Sequence, residues 1–176
     1  APDGSKLWDG LLQLKERGVV GALGITACVC DDPVGLARRF RPDLMQLPLS
    51  LLDQRLLASG ALDEIAGRGV ELHLRSIFLH GLLFFEGGPT AAPAPLSPDI
   101  SRVRRVLAEA GADPMQAALA FALSRPQASA VVVGVGSPAE LRAVVKAASK
   151  PGPDLDWNAL RMDVACGLDP QLCRAA

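Results

Sequence analysis

The chain has 176 residues, is 49% apolar, and carries 18 basic against 19 acidic residues for a net charge of -1. That is enough for one domain with a substantial core. The near balance, with no long basic block, argues against nucleic acid or an anionic membrane as partner, and the longest apolar run, Ile77 to Phe85, is too short to span a bilayer.

Leu7, Leu11 and Leu14, beside Trp8 and Leu12, make a helical stripe over residues 6–17, closed by Gly18. The small-residue run from Val19 to Thr26 reads as a strand. Asp32-Pro33 supplies an N-cap and a first-turn proline to a helix reaching about Phe40. Pro42 to Leu47 is the next strand, Gly60 to Ala66 a helix ended by Gly67-Arg68-Gly69, and Val70 to Arg75 a third strand. Residues 86–98 combine Gly87-Gly88-Pro89 with Ala-Pro repeats and read as a flexible loop, of the kind that serves as a lid or mobile insertion. Helices over 100–110 and from Asp113-Pro114 to Ser124 precede a valine strand from Val131. A glycine turn and a helix opened by Ser137-Pro138 follow. From 151 to 176 the chain is a tail with a short helix around Trp157 to Met162.

One helix followed by four strand–helix units, with apolar strands, argues an α/β fold with helices packed on a parallel sheet. Gly134-Val135-Gly136-Ser137-Pro138-Ala139 satisfies a loose dinucleotide fingerprint, and the helix start behind it is a ready anion site. A doubly wound domain, a third alternative, would also need a second strand about 20 residues on, ending in an acidic residue. Asp154 and Asp156 fall at that distance, but in a Pro- and Gly-rich stretch. The other common parallel architecture, the (β/α)₈ barrel, takes eight strands and about 250 residues. Four units make half of it, leaving two unpaired strand edges and an open apolar concavity. Another polypeptide, or more of a longer protein, would have to close it.

Four segments carry a resemblance. Gly18 to Thr26, Asp43-Leu44-Met45-Gln46, Leu74 to Leu83 and Val133 to Leu141 resemble, in order, the fifth- to eighth-strand motifs of the aldo-keto reductases. Gln46 to Arg55, with His73-Leu74-Arg75-Ser76, is similar to an uncharacterised bacterial branch. The resemblance implies the C-terminal half of a (β/α)₈ TIM barrel, four parallel strand–helix units, as a partial domain over residues 1–176. It implies an NADP(H)- or NAD(H)-dependent oxidoreductase that reduces a small carbonyl substrate by hydride transfer, in the cytoplasm. By the same resemblance Gln46 would bond the nicotinamide amide with Thr26 beside it. Arg75 would stand at the nicotinamide, Ser76 and the loop through Gly81 would cover the pyrophosphate, and Gly134, Gly136, Ser137 and Glu140 would form the adenosine-phosphate end.

Several positions depart from the family. The aromatic that commonly stacks on nicotinamide is Arg75, the asparagine after the strand-five serine is Ala27, the arginine used for the 2'-phosphate is Gly136, and the helix asparagine near adenine is Val144. NADP and NAD therefore both stay open, with weak or no binding by the isolated chain. The family's catalytic aspartate, tyrosine, lysine and histidine come from the first four strands, and this chain has no tyrosine at all. No catalytic residue is assigned to it, and alone it is expected to be inactive. The expected partner is a missing N-terminal half-barrel, or a second copy joined through exposed strand edges. A non-catalytic binding or assembly module is the alternative.

Plainer roles stand beside these. Gln46 could satisfy strand-end backbone, Ser76 could be a turn residue, and Gly134 and Gly136 could serve only the tight turn. His73 and His80 read as structural, Asp53 and Arg55 as an exposed loop-fixing pair, and Trp8 and Trp157 as packing residues. No metal site is expected. Cys28 and Cys30 are too close for an ordinary zinc pair, and they read with Cys166 and Cys173 as free thiols.

Overall fold

The computed structural model describes residues 4–81, 84 and 97–162. Most of the expected loop at 86–98, and the tail beyond Met162 with Cys166 and Cys173, lie outside them. Four parallel strands, β1 (Gly24–Thr26), β2 (Leu44–Pro48), β3 (Glu71–Arg75) and β4 (Ala130–Val131), form one sheet in the order β1-β2-β3-β4. Every neighbouring pair is consecutive in the chain and parallel, so each connection is a crossover through a helical layer. The helices are α1 (Ser5–Glu16), α2 (Pro33–Phe40), α3 (Arg55–Ala58), α4 (Ala61–Ala66), α5 (Ser97–Glu109), α6 (Pro114–Leu123) and α7 (Pro138–Ala148), with a 3₁₀ turn at Trp157–Leu160.

Local chemistry sets the helix ends. The Asp32 carboxylate accepts from Gly35 N (3.0 Å) and the Asp113 carboxylate from Gln116 N (2.8 Å), each ahead of a first-turn proline. Gly18, at φ 71°, closes α1, and the amides of Gly18 and Val19 return to the carbonyls of Lys15 and Leu14. That cap shortens the first expected strand. The Val19 amide is committed to the helix, and the Leu23 amide donates to the Asp43 carboxylate (2.7 Å), so only Gly24–Thr26 pairs. The fourth strand is shorter than expected for a related reason. The Val132 amide still reaches the Leu74 carbonyl, but β3 ends at Arg75 and Ser76 turns away in the left-handed region at φ 59°.

Alternation along the strands splits the sheet into two unlike faces. Met45 and Leu47 of β2, with Leu72 and Leu74 of β3, are buried under the helices. There they meet Leu62 and Ile65 of α4, Val103 and Leu107 of α5 and Phe121 of α6. A smaller cluster, Ile77, Leu119, Ala122, Val144 and Ala147, joins α6 to α7. The opposite face carries Gly24, Thr26, Leu44, Gln46, Pro48, Glu71, His73 and Arg75, none fully buried. Parallel sheets are ordinarily covered on both faces; here, among the described residues, helices cover one.

The ends of the sheet agree. No residue of α1 is buried, Leu7 is 70% exposed, and Leu141 and Val145 of α7 are more than half exposed. What holds α1 is polar and aromatic. Lys15 Nζ donates to both Asp43 carboxylate oxygens (2.5 and 2.6 Å), and the Trp8 ring packs on Phe40 with centroids 5.4 Å apart.

Candidate functional site

The uncovered face gathers polar side chains toward the carboxyl ends of the strands, where ligands bind in parallel α/β folds. Register places Thr26, Gln46, His73 and Ala130 side by side in one row. Pro48 and Arg75 form the next row, two residues or about 7 Å of strand further toward the rim. Among the described residues the Thr26 hydroxyl and the Gln46 amide have no hydrogen-bond partner, so both are available to a ligand. Toward the other end, Ser129 Oγ donates to Glu71 Oε1 (2.7 Å), and His73 Nε2 stands 3.0 Å from the same oxygen. The Ser129 bond and then the His73 bond hold the Glu71 carboxyl below the usual range. His73 has the structural pairing that its mid-strand position suggests.

The rim beside Gln46 is rigid. After β2 the chain folds over residues 49–54, all buried, with Ser50 Oγ accepting from Asp53 N (2.9 Å). Arg55 grips Asp53 with two parallel bonds of 2.8 and 2.7 Å. The expectation of an exposed pair is corrected here, because the Asp53 side chain is only 5% exposed and the pair fixes a buried loop. Gln54, which sequence reasoning passed over, is 1% exposed; its Nε2 donates to the carbonyls of Leu51 (2.9 Å) and Trp157 (2.6 Å). Trp157 itself packs on Phe121 with centroids 5.6 Å apart.

Arg75 closes the row above. Its Nη2 donates to the Ala27 carbonyl (3.0 Å) and lies 3.5 Å from Cys28 Sγ, and its Nη1 donates to Ser76 Oγ (3.1 Å). Beyond it, Ser76 and Leu79 hold positive φ values of 59° and 43°, and Gly81 one of 76°. Non-glycine residues seldom take such values, and strain of this kind gathers at binding loops. Cys28, half-buried, and Cys30, exposed, are not joined in a disulfide. Among the described residues no three His, Cys, Asp or Glu side chains gather as a metal site, and no helix is long and apolar enough to cross a membrane.

At the start of α7, Ser137 caps the helix through a bond from Glu140 N (3.2 Å). The Glu140 carboxylate swings back to accept from Gly136 N (2.7 Å). The pattern is a capping box shifted by one residue, and it puts a carboxylate on the Gly136 amide. Gly134 and Gly136 both have ordinary φ, so the turn does not demand glycine at either place. A Cβ at Gly136 would meet the Glu140 carboxylate at 3.5 Å, an ordinary contact, so space does not require glycine there either. Val144 and Ala27, two of the departures from the resemblance, are both buried.

The aldo/keto reductase family profile matches residues 3–162. The chain belongs to the aldo/keto reductase family. Its fold is similar to that of aldo-keto reductase AKR11C1 from Bacillus halodurans. In the apo form the TM-score is 0.74 at 20% identity, over 90% of this chain and 56% of that one. In the holo form it is 0.70 at 20% identity, over 84% and 51%. This chain therefore spans about half the length of the reductase structures it matches. No protein of curated function matches it. The four-stranded parallel sheet and its helices are thus the aldo/keto reductase barrel architecture over about half its extent, as the motif order implies.

Proposed function

We propose that this chain is the cofactor-binding half of an NAD(P)H-dependent aldo/keto reductase that reduces small carbonyl compounds. The observation that carries the reading is the row Thr26–Gln46, unpartnered and in register on the uncovered face, at the last residue of β1 and the middle of β2. An amide and a hydroxyl side by side suit the carboxamide of a nicotinamide, since both groups donate and accept. When bound, the dinucleotide supplies the hydride. Gln46 and Thr26 would orient its carboxamide, and the Ser76 to Gly81 segment would lie along its diphosphate. The turn before α7 suits the adenosine-side phosphates only once Glu140 releases the Gly136 amide. With no tyrosine in the chain, the proton for the carbonyl oxygen comes from elsewhere. That source would be an N-terminal half-barrel covering the open face, the exposed edges of β1 and β4 and the bare sides of α1 and α7.

The test is a fluorescence titration with NADPH and NADH, first of the chain alone and then with an N-terminal half-barrel of the family added. Saturable binding, tightened by the added half and weakened by Gln46→Ala, is the expected result. Absence of binding in both arms removes the cofactor role. The bare sides of α1 and α7 also favour a second reading, a non-catalytic assembly module. Self-association without any nucleotide binding would select it.

A further inference from the structure

We infer that Arg75 is an anchor for an oxyanion, a carboxylate or phosphate group of the ligand, at the mouth of the half-barrel. The inference rests on the reading of the strands' carboxyl ends as the ligand-binding side, and it adds the charge of what binds there.

The geometry is specific. Arg75 is the last residue of β3 and lies on the uncovered face, yet its guanidinium reaches Ala27 and Cys28 beyond the end of β1. To do so it crosses β2 at the level of Pro48, its register partner. A guanidinium has five N–H groups. Three contacts are made here, to a carbonyl, a cysteine sulfur and a hydroxyl, and none of those acceptors is a carboxylate. The Nε–H is buried and has no partner at all. Among the described residues no carboxylate pairs with Arg75, although the other half-buried arginine of this rim, Arg55, is matched by Asp53.

A cation drawn out of water without a counter-charge is costly, and a buried donor left open adds to that cost. Both are relieved by one ligand group, a planar or tetrahedral oxyanion that accepts from the guanidinium once the covered Nε–H edge opens to it. The three contacts hold the group in place without a carboxylate to neutralise it. The Arg75 backbone lies two residues, about 7 Å of strand, beyond the row of Gln46 and Thr26, and its guanidinium bonds the carbonyl of Ala27, the residue after Thr26. A ligand of small-molecule size can therefore bond the amide and the cation together.

The experiment uses three probes, sodium pyrophosphate, pyruvate and NADPH, with the chain and its Arg75→Lys and Arg75→Ala variants. The Arg75 Nε–H is followed by ¹H–¹⁵N NMR and assigned by its loss in the lysine variant. The expected result is a shift of that signal on adding pyrophosphate or pyruvate. Affinity for the same anion should drop at least tenfold in Arg75→Ala and less in Arg75→Lys. Loss of pyruvate binding with NADPH binding intact makes the oxyanion a substrate carboxylate. Joint loss of pyrophosphate and NADPH binding makes it the cofactor diphosphate.

An Nε–H signal unmoved at saturating anion, or anion affinities equal in all folded forms, overturns the inference; so does failure of all three probes to bind. If Arg75→Ala does not fold, the wild-type signal and the lysine variant decide alone. NADPH bound equally by every form, with the signal unmoved, leaves the cofactor reading standing and this inference refuted. Arg75-dependent anion binding without NADPH binding does the reverse.

Discussion

Replacing Gln54 by leucine tests whether the rim beside Gln46 is held by the hydrogen bonds described for it. The side chain is 1% exposed and donates to two carbonyls, one at Leu51 in its own loop and one at Trp157, 103 residues away. Leucine nearly keeps the volume, so cavity formation contributes little and the two lost bonds dominate. Leaving a buried acceptor dry costs about 1–3 kcal/mol, and Leu51 is fully buried. The Trp157 carbonyl, in a half-buried turn, adds about 0.5–1.5 kcal/mol. The extra apolar burial of leucine returns roughly 1 kcal/mol. A net loss of about 2 kcal/mol is expected, which for a chain of this size lowers the melting temperature by about 4–8 °C. Urea unfolding should show a lower midpoint at unchanged slope, and amide exchange at Asn158 and Ala159 should accelerate. A stability change inside 0.5 kcal/mol, or accelerated exchange absent from the Trp157 turn, would refute the reasoning.

Three further outcomes follow from the same structure. Hydrogen bonds from Lys15 first, and then from the Leu23 amide, hold the Asp43 carboxyl below the ordinary aspartate range. Its contribution is therefore present above the unfolded value near pH 4 and is lost as pH falls through the lower folded value. Both ends of this pair are over a third exposed, so the effect is under about 1 kcal/mol. Asp43→Asn should flatten the fall of the urea midpoint as pH drops below about 4, and an unchanged acid slope would count against the pair. Phe121→Ala empties the centre of the helical layer and should cost about 3–5 kcal/mol by urea unfolding, with the Trp157 fluorescence shifted to the red. Glu140→Ala removes a capping bond, expected to cost about 0.5–1 kcal/mol, but frees the Gly136 amide. NADPH affinity should rise severalfold, and an unchanged or weaker affinity would show that the carboxylate does not compete for that site.

The exposed faces explain why a half-barrel can keep a well-formed core. The helices that the crossovers lay on one face of the sheet supply that core from within the chain. Met45, Leu47, Leu72 and Leu74 are covered without any contribution from beyond the chain. What lacks cover is the inner face and the sides of the first and last helices, the places that an eight-stranded ring would close.

By itself the sequence determined the alternation of helix and strand, the helix starts at Asp32-Pro33, Asp113-Pro114 and Ser137-Pro138, and through its four motifs the barrel family. These are signals carried within a few residues, where a cap or an apolar period has its cause and its effect in the same segment. Strand lengths were beyond it. Val19 is claimed by the cap of α1, and β4 loses its neighbour where Ser76 turns away. Only the tertiary structure decided the rest. It put the Gln54 amide on a carbonyl 103 residues distant, left Arg75 without a counter-ion after carrying it across to β1, and laid Glu140 on the Gly136 amide in the turn before α7. Each of those depends on which side chains the crossovers bring together, and no local pattern records that distance.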